Sequence, residues 1–103
     1  MIHTLNYKKL LSHLKASAKK RNIKFTLTLT DLYDLSLPLT CPLLNHIIDY
    51  NARGYNEFSP SIDRIDSDLG YEPDNIQVLS VKANRAKNNL SIIELKEMAK
   101  YYR

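Results

Sequence analysis

The chain has 103 residues, 44% hydrophobic and 25% charged, with a net charge of +4, which is the composition of an ordinary globular protein with one modest core. No stretch approaches the roughly 20 apolar residues that a bilayer requires, and the first residues lack the apolar segment of a signal peptide, so we predict a cytoplasmic location without membrane contact. The single cysteine, Cys41, excludes an intrachain disulfide, and with only three scattered histidines we expect no structural zinc.

The first forty residues predict a helical part with a basic surface. An amphipathic helix is expected over about residues 6–21, because apolar residues recur at helical spacing at Leu10, Leu11, Leu14 and Ala18. Residues 24–27 are compatible with a short extended stretch. Thr28 and Asp31 resemble a capping box, which predicts a short second helix. The alternative is one strand, since Thr and Leu alternate over residues 26–30.

The remaining chain predicts a loop, two strands and two helices. Residues 41–59 lack a sustained period and favour loops. Two β-prone runs, residues 62–65 and 76–79, predict an irregular hairpin. Ser80 is placed to cap a helix that ends near residue 88, and Ser91 with Glu94 forms a capping box for a last helix. We expect that helix to bury its apolar stripe, formed by Ile92, Leu95, Met98, Ala99 and Tyr102.

Charge is distributed unevenly along the chain. Residues 1–40 carry a net charge of +5, residues 41–74 a net charge of −5, and residues 75–103 a net charge of +4. An acidic centre between basic arms suits a protein that holds a cation while it binds a polyanion. A solvated surface without a partner is the alternative explanation.

Several short motifs together resemble one known family. Asp63-Arg64-Ile65-Asp66, Gly70-Tyr71, Asn75-Ile76, Asn84 and Lys87 resemble the core of HNH endonucleases, particularly a small phage-type group with an Asp-Arg-Ile-Asp signature. Cys41-Pro42-Leu43-Leu44 and Asp49-Tyr50 look like the lead-in of that group. The resemblance extends over about residues 41–102.

This resemblance implies an α+β fold of one domain, residues 1–103. The ββα-metal core, also called the His-Me finger, is expected at residues 59–89, between a basic N-terminal helical part at 1–40 and a C-terminal helix at 91–103. It also implies hydrolysis of DNA phosphodiester bonds with Mg²⁺ or Mn²⁺, in a host-cell cytoplasm if the protein is phage-encoded. The sequence does not predict an oligomeric state.

The implied metal ligands are Asp63 on the first strand and Asn84 on the helix. Phosphodiester cleavage requires neutralisation of charge on the phosphoryl oxygens and on the leaving oxygen, and one hard cation does both. Carboxylate and amide oxygens suit magnesium or manganese, which take their remaining ligands from water and phosphate. The alternatives are a turn or cap carboxylate for Asp63 and a helix-surface amide for Asn84.

Arg64 stands where many family members carry the histidine that acts as general base. A guanidinium group cannot accept a proton at neutral pH, so we expect Arg64 to bind the scissile phosphate. The alternative is an ion pair with Asp63 or Asp66. His46 is the best candidate for the base by chemistry, although a lone histidine in an apolar run is more often packed.

Other residues have weaker claims to a catalytic role. Further candidates for the base are Asp49, Asp66 and water, followed by Tyr50 and Tyr55, whose phenol pKa must first fall. Asn75 matches the family asparagine that fixes the loop between the strands. Gly70 is expected to supply a positive φ, and Tyr71 to pack against the hairpin.

Phosphate contacts are expected from the basic side chains of the motif helix and of the region after the first helix. Together with Arg64 these are Lys82, Arg85, Lys87, Lys19, Lys20, Arg21 and Lys24. Lys87 matches the family lysine that follows the last motif residue, so the resemblance also makes it a candidate catalytic residue. Such contacts position DNA without reading its sequence. Two functions stay open at this point: a metal-dependent DNA endonuclease or nickase, and a non-catalytic relative that binds DNA or inhibits a host or phage protein. A helical interaction module without a metal site is a third and weaker reading.

Overall fold

The computed structural model describes residues 6–51 and 56–102. Its elements are α1 (Tyr7–Lys20), α2 (Leu29–Tyr33), β1 (Pro60–Arg64), β2 (Ile76–Ser80), α3 (Val81–Lys87) and α4 (Ile92–Tyr101). A 3-10 turn over Pro73–Asn75 leads into β2. Within the described residues, none of the helices has both the length and the apolar character needed to cross a membrane.

β1 and β2 form an antiparallel hairpin in which Pro60 pairs with Ser80 and Arg64 with Ile76. α3 begins directly after β2, where the Ser80 side chain accepts a hydrogen bond from the Ala83 amide at 3.1 Å. This short connection places α3 against both strands of the hairpin. The α+β class with one hairpin and flanking helices is therefore confirmed.

The short second helix is confirmed, and the alternative strand over residues 26–30 is wrong. Thr28 and Asp31 form a reciprocal capping box, with the Thr28 amide donating to the Asp31 carboxylate at 2.7 Å and the Asp31 amide donating to the Thr28 hydroxyl at 3.3 Å. The box satisfies backbone groups that a strand would leave open. In the segment before this helix, a bridge joins Phe25 to Tyr71.

The hairpin separates two apolar clusters. One contains Cys41, Ile48, Tyr50, Val78, Leu79 and Ala83, and packs the loop of residues 41–50 against β2 and α3. The other contains Ala18, Leu27, Leu32, Tyr71 and Ile76, and packs α1 and α2 against the hairpin. Ile62 and Leu35 contact both clusters. The N-terminal part is thus attached to the same hairpin that carries the motif residues.

The expectation that α4 buries its apolar stripe is wrong. None of its residues is buried: Leu95 is half-buried, and Ile92, Met98, Ala99 and Tyr102 are exposed. Periodicity predicts an apolar face, but it does not show that another element lies opposite that face. Ser91 and Glu94 cap this helix as predicted.

The expectation that Gly70 supplies a positive φ is wrong. Its φ lies outside the left-handed region, so a positive φ is not the reason for glycine here. A Cβ atom at this position would lie 2.4 Å from the Lys24 carbonyl oxygen and 2.8 Å from the Lys24 Cβ atom. Glycine is needed because the backbone of the hairpin loop approaches the backbone after α1 closely.

Candidate active site

A polar groove of about 360 Å³ lies between β1, the face of α3 and the end of α1. We call it the polar groove, and the charged and amide-bearing residues that line it are Arg21, Asp63, Arg64, Asn84, Arg85, Asn88 and Asn89. The two residues predicted to bind a metal, Asp63 and Asn84, line this one groove from a strand and from a helix. Of the residues that line it, Asp63 alone is acidic.

Asp63 is buried at the floor of this region and uses both carboxylate oxygens. Its Oδ1 accepts from the Lys87 ammonium at 2.9 Å, and its Oδ2 accepts from the amide of Gln77, its cross-strand partner, at 3.0 Å. The side chain is 3% exposed, so the carboxylate charge is stabilised chiefly by these two donors.

Lys87 is buried inside the protein. The sequence predicts instead that it contacts DNA. Only 5% of its side chain is exposed, and the ammonium also donates to the Arg64 carbonyl at 2.5 Å. A phosphate on the surface is out of reach of an ammonium enclosed in this way. The sequence signal that could have found the pair is weak, since Asp63 and Lys87 are 24 positions apart.

Asn84 lies one turn before Lys87 on the same face of α3. Its Nδ2 donates to the Ser61 hydroxyl at 2.7 Å and to the Ile62 carbonyl at 3.1 Å. Because a carbonyl can only accept, this pair of contacts fixes the orientation of the amide. The Oδ1 atom is the one left to receive a ligand.

Arg64 is held in place by the loop that follows β1. Its Nη1 donates to the carbonyls of Ser67 and Leu69 at 2.8 and 2.9 Å, and its guanidinium lies 5.5 Å from the centre of the Tyr71 ring. Arg64 therefore makes these contacts and not the ion pair with Asp63 or Asp66, which is the alternative to phosphate binding that the sequence leaves open. Arg21 contacts the Tyr71 hydroxyl at 3.4 Å, so one tyrosine positions two arginines of the groove.

Asn75 fixes the loop between the strands through its side-chain amide. Its Nδ2 donates to the carbonyls of Asp66 and Gly70 at 3.0 and 2.8 Å, and its Oδ1 accepts from the Asp66 amide at 2.9 Å. The residue is buried. Its side chain therefore replaces the backbone hydrogen bonds that the irregular loop lacks.

His46 lies outside the polar groove, next to the start of α3. Its Nδ1 is 3.2 Å from the Ile47 carbonyl and its Nε2 is 3.0 Å from the Ser80 hydroxyl. Since the carbonyl can only accept, Nδ1 is the donor in the first contact, and Nε2 lies within hydrogen-bond distance of the Ser80 hydroxyl. Its ring packs edge-on against Phe58 at 4.9 Å. Both ring nitrogens are engaged away from Asp63, so this placement gives no support to His46 as the base.

Cys41 completes the cluster around Ser80, with its thiol 3.7 Å from the Ser80 hydroxyl. Burial raises the pKa of the Cys41 thiol, but hydrogen bonds from the backbone of Ser80, Leu44 and Leu43 and from the Ser80 hydroxyl outweigh burial and leave the pKa below its ordinary value. Cys41 and Ser80 are buried and His46 is half-buried, and none of the three lines the polar groove.

The weaker candidates for the base are also accounted for. Asp49 and Asp66 use a carboxylate oxygen to accept from the amides of Asn51 and Asp68, which is how such residues close turns. Burial, followed by an electrostatic interaction with Tyr7, raises the pKa of Tyr50, so its phenol stays protonated at neutral pH and does not serve as the base. Tyr55 lies outside the described residues.

The predicted phosphate-contacting residues fall into two exposed groups. Lys82 and Arg85 are exposed on α3, while Lys19, Lys20 and Arg21 are exposed at the end of α1. Arg85 and Arg21 bring these groups to the polar groove from two sides. Lys24 is exposed and forms a 3.7 Å ion pair with Glu72, a contact that is worth little at a surface.

Among solved structures, the fold is similar to that of the rare-cutting HNH restriction endonuclease PacI. The match has a TM-score of 0.64 and covers 94% of this chain and 76% of that chain, with 25% sequence identity. The chain resembles an HNH endonuclease. PacI itself perturbs DNA. No protein-family model matches the sequence, and no curated protein matches it.

Proposed function

We propose that this protein is a metal-dependent DNA endonuclease or nickase of the HNH type, with the polar groove as its active site. The observation that carries the proposal is that a strand carboxylate, Asp63, and a helix amide, Asn84, line one groove beside three arginines. The similarity to an HNH restriction endonuclease supports the reaction class. Assignment to the small phage-type group rests on the Asp-Arg-Ile-Asp signature and is part of the proposal.

The donor set at the groove fits a hard cation. Asp63 supplies a carboxylate, and Asn84 has its amide oxygen left over after its nitrogen has bonded to β1. In residues 6–51 and 56–102 there is no cluster of three or more His, Cys, Asp or Glu side chains, so the ligands are few. Magnesium tolerates such a site because it retains water and takes phosphate oxygens as ligands. When bound, the cation would neutralise charge that develops on the phosphate.

The arginines of the groove are assigned to the phosphate itself. Arg21, Arg64 and Arg85 come from α1, β1 and α3, so they surround the groove with donors that match the geometry of phosphate oxygens. Arg64 is fixed by the loop carbonyls and Tyr71, which reduces the entropy lost when it binds a ligand. They hold the DNA backbone in place and offset its charge.

The proton of the attacking water is assigned to solvent. Arg64 stays protonated, and His46 uses both of its ring nitrogens elsewhere. Asp63 and Asn84 line the groove, and solvent that enters the groove is assigned to carry the proton away. Asn75 acts by positioning, because its bonds hold the loop that in turn holds Arg64.

Plasmid cleavage tests this proposal. Supercoiled plasmid is incubated with the protein and Mg²⁺ or Mn²⁺, with and without a chelator, and nicked and linear products are quantified on a gel. Asp63→Asn is expected to abolish the products, while Asp68→Asn, which removes an exposed carboxylate outside the polar groove, is expected to cleave normally. Intact plasmid in every lane would falsify the endonuclease proposal.

A second candidate function is a non-catalytic protein that retains the scaffold and binds DNA or a host protein. Two observations favour it: arginine occupies the position of the base, and Lys87 already neutralises Asp63. Fluorescence anisotropy with a DNA duplex in chelator, at several salt concentrations, measures the phosphate contacts directly. Salt-dependent binding together with an absence of cleavage under all metal conditions would favour this function over the first.

A further inference from the structure

The Asp63–Lys87 ion pair places an internal cation at the carboxylate assigned to the metal. The Lys87 ammonium lies 2.9 Å from Oδ1, and the Gln77 amide occupies Oδ2 at 3.0 Å. The remaining charged residues that line the polar groove are Arg21, Arg64 and Arg85. A divalent cation that approaches the single carboxylate of this groove therefore meets an ammonium already bound to it and three guanidinium groups nearby.

We propose that Lys87 and the divalent cation are alternative partners of Asp63, so that Lys87 holds the metal site in a low-affinity state until the cation displaces it from Oδ1. This inference rests on the proposed metal-dependent function and names the residue that controls it. It distinguishes Lys87 from the basic residues that contact DNA, because its partner is the carboxylate and its position is internal.

The surroundings of Lys87 allow this exchange without a rearrangement of the fold. The ammonium already donates to the Arg64 carbonyl at 2.5 Å, so it keeps one strong acceptor when it leaves Oδ1. Lys87 is the last residue of α3, and its long side chain has several rotatable bonds. Asn88, which follows it, has a φ of 49° and ends the helix. A small movement of the side chain is enough to change its partner.

Calorimetric titration of Mn²⁺ into the full-length protein tests the competition. Lys87→Met keeps the apolar part of the side chain and removes the ammonium, and we expect it to bind Mn²⁺ at least about tenfold more tightly than the wild type, because a positive charge in contact with the carboxylate is lost. Lys82→Met is the matched control, since Lys82 is exposed on the same helix. Arg85→Met removes a charge that lines the groove and measures the general field effect, which is expected to be smaller.

Nitrogen-15 labelling of lysine gives a measurement on the wild type that does not depend on the folding of a variant. Lys87 is the one buried lysine in the described part of the chain, so its ammonium protons are expected to be protected from exchange with water. Saturation with Mg²⁺ is expected to shift or broaden the Lys87 ammonium signal, while the signals of the exposed lysines stay where they are.

The outcomes separate this inference from the proposed function. Equal Mn²⁺ affinity in the wild type and Lys87→Met, or a Lys87 signal that saturating Mg²⁺ leaves unchanged, overturns the competition while a plasmid-cleaving enzyme remains. Absence of cation binding in every variant, with intact plasmid, overturns the metal-dependent function and the competition together. Tighter binding in Lys87→Met that exceeds the gain in Arg85→Met, with a displaced Lys87 signal, supports the inference.

Discussion

The β1–β2 hairpin carries a polar cluster near each end, and the two clusters differ in their position relative to the polar groove. Near the Arg64 end, the Asp63 cluster consists of the charged pair Asp63 and Lys87, and Asp63 lines the groove. Near the Pro60 end, the Ser80 cluster consists of Ser80, His46 and Cys41, and none of these three residues lines the groove. The residue types with the most familiar catalytic chemistry are in the Ser80 cluster. Residue types alone therefore do not locate a candidate site, because their position relative to the groove also counts.

The largest difference between the two clusters is expected in cleavage rate. Asp63→Asn should lower the rate of plasmid cleavage by at least about 100-fold, because a bound cation contributes several kcal/mol to stabilisation of the transition state. His46→Gln should leave the rate within about threefold of the wild type, since its ring nitrogens bond only to Ile47 and Ser80. Initial rates from a quantified gel provide the measurement. A loss of cleavage in His46→Gln as large as in Asp63→Asn would reverse the roles of the clusters.

The next effect concerns the loop between β1 and β2, which holds Arg64 beside the Asp63 cluster. Asn75→Ala removes three hydrogen bonds that a buried side chain makes to the backbone of the loop between the strands, and it should lower the free energy of unfolding by about 2–4 kcal/mol. Asn89→Ala, at an exposed position that also lines the groove, should change it by less than about 0.5 kcal/mol. Urea denaturation followed by circular dichroism compares them. Similar stabilities for the two variants would contradict the assignment of Asn75 as the residue that fixes the loop.

The Ser80 cluster is expected to contribute to stability because Ser80 and Cys41 are buried. Ser80 and Ser91 both cap helices, but Ser80 is buried and also contacts His46, while the helix after Ser91 has no buried residue. Ser80→Ala should cost about 1–2 kcal/mol and Ser91→Ala about 0.5–1 kcal/mol in unfolding free energy. Thermal denaturation of both variants measures the difference, and an equal or larger loss in Ser91→Ala would argue against the role of burial.

The smallest expected effect is the pH dependence from Cys41. The pKa of its thiol is lowered in the folded protein by the surrounding hydrogen bonds, even though burial opposes this. The stabilisation is therefore fully present above the pKa of the unfolded chain, and it is lost as the pH falls through the folded pKa. The unfolding free energy of the wild type should rise relative to that of Cys41→Ala between neutral and alkaline pH. A parallel pH profile for the two proteins would contradict the shift.

Much of the fold was predictable from local signals in the sequence. The capping boxes at Thr28 and Ser91 and the β-prone runs around Ile62 and Ile76 depend on residues close together in the chain, and the structure confirms the elements they predict. The exposed stripe of α4 was not predictable, because a periodic pattern records an apolar face and says nothing about what covers it.

The site was predictable in part, for a similar reason. Asp63, Arg64 and Asn84 are named from the resemblance to HNH endonucleases, and the structure places all three at the polar groove, although their chemical roles stay predictions. The burial of Lys87 could not be foreseen, because it depends on a pairing between distant parts of the chain that charge patterns do not encode. His46 had suitable chemistry, but nothing in the sequence stated its position relative to Asp63.

The close approach of Gly70 to Lys24 joins the basic N-terminal part to the hairpin. Because the loop touches the backbone at Lys24, and Tyr71 pairs with the segment around Phe25, the basic N-terminal part is joined to the hairpin and forms one wall of the groove through Arg21. A shortened chain that begins at Cys41 would keep both strands and α3, yet it would lose this wall. The segment that carries the recognisable motif is therefore shorter than the segment that forms the polar groove.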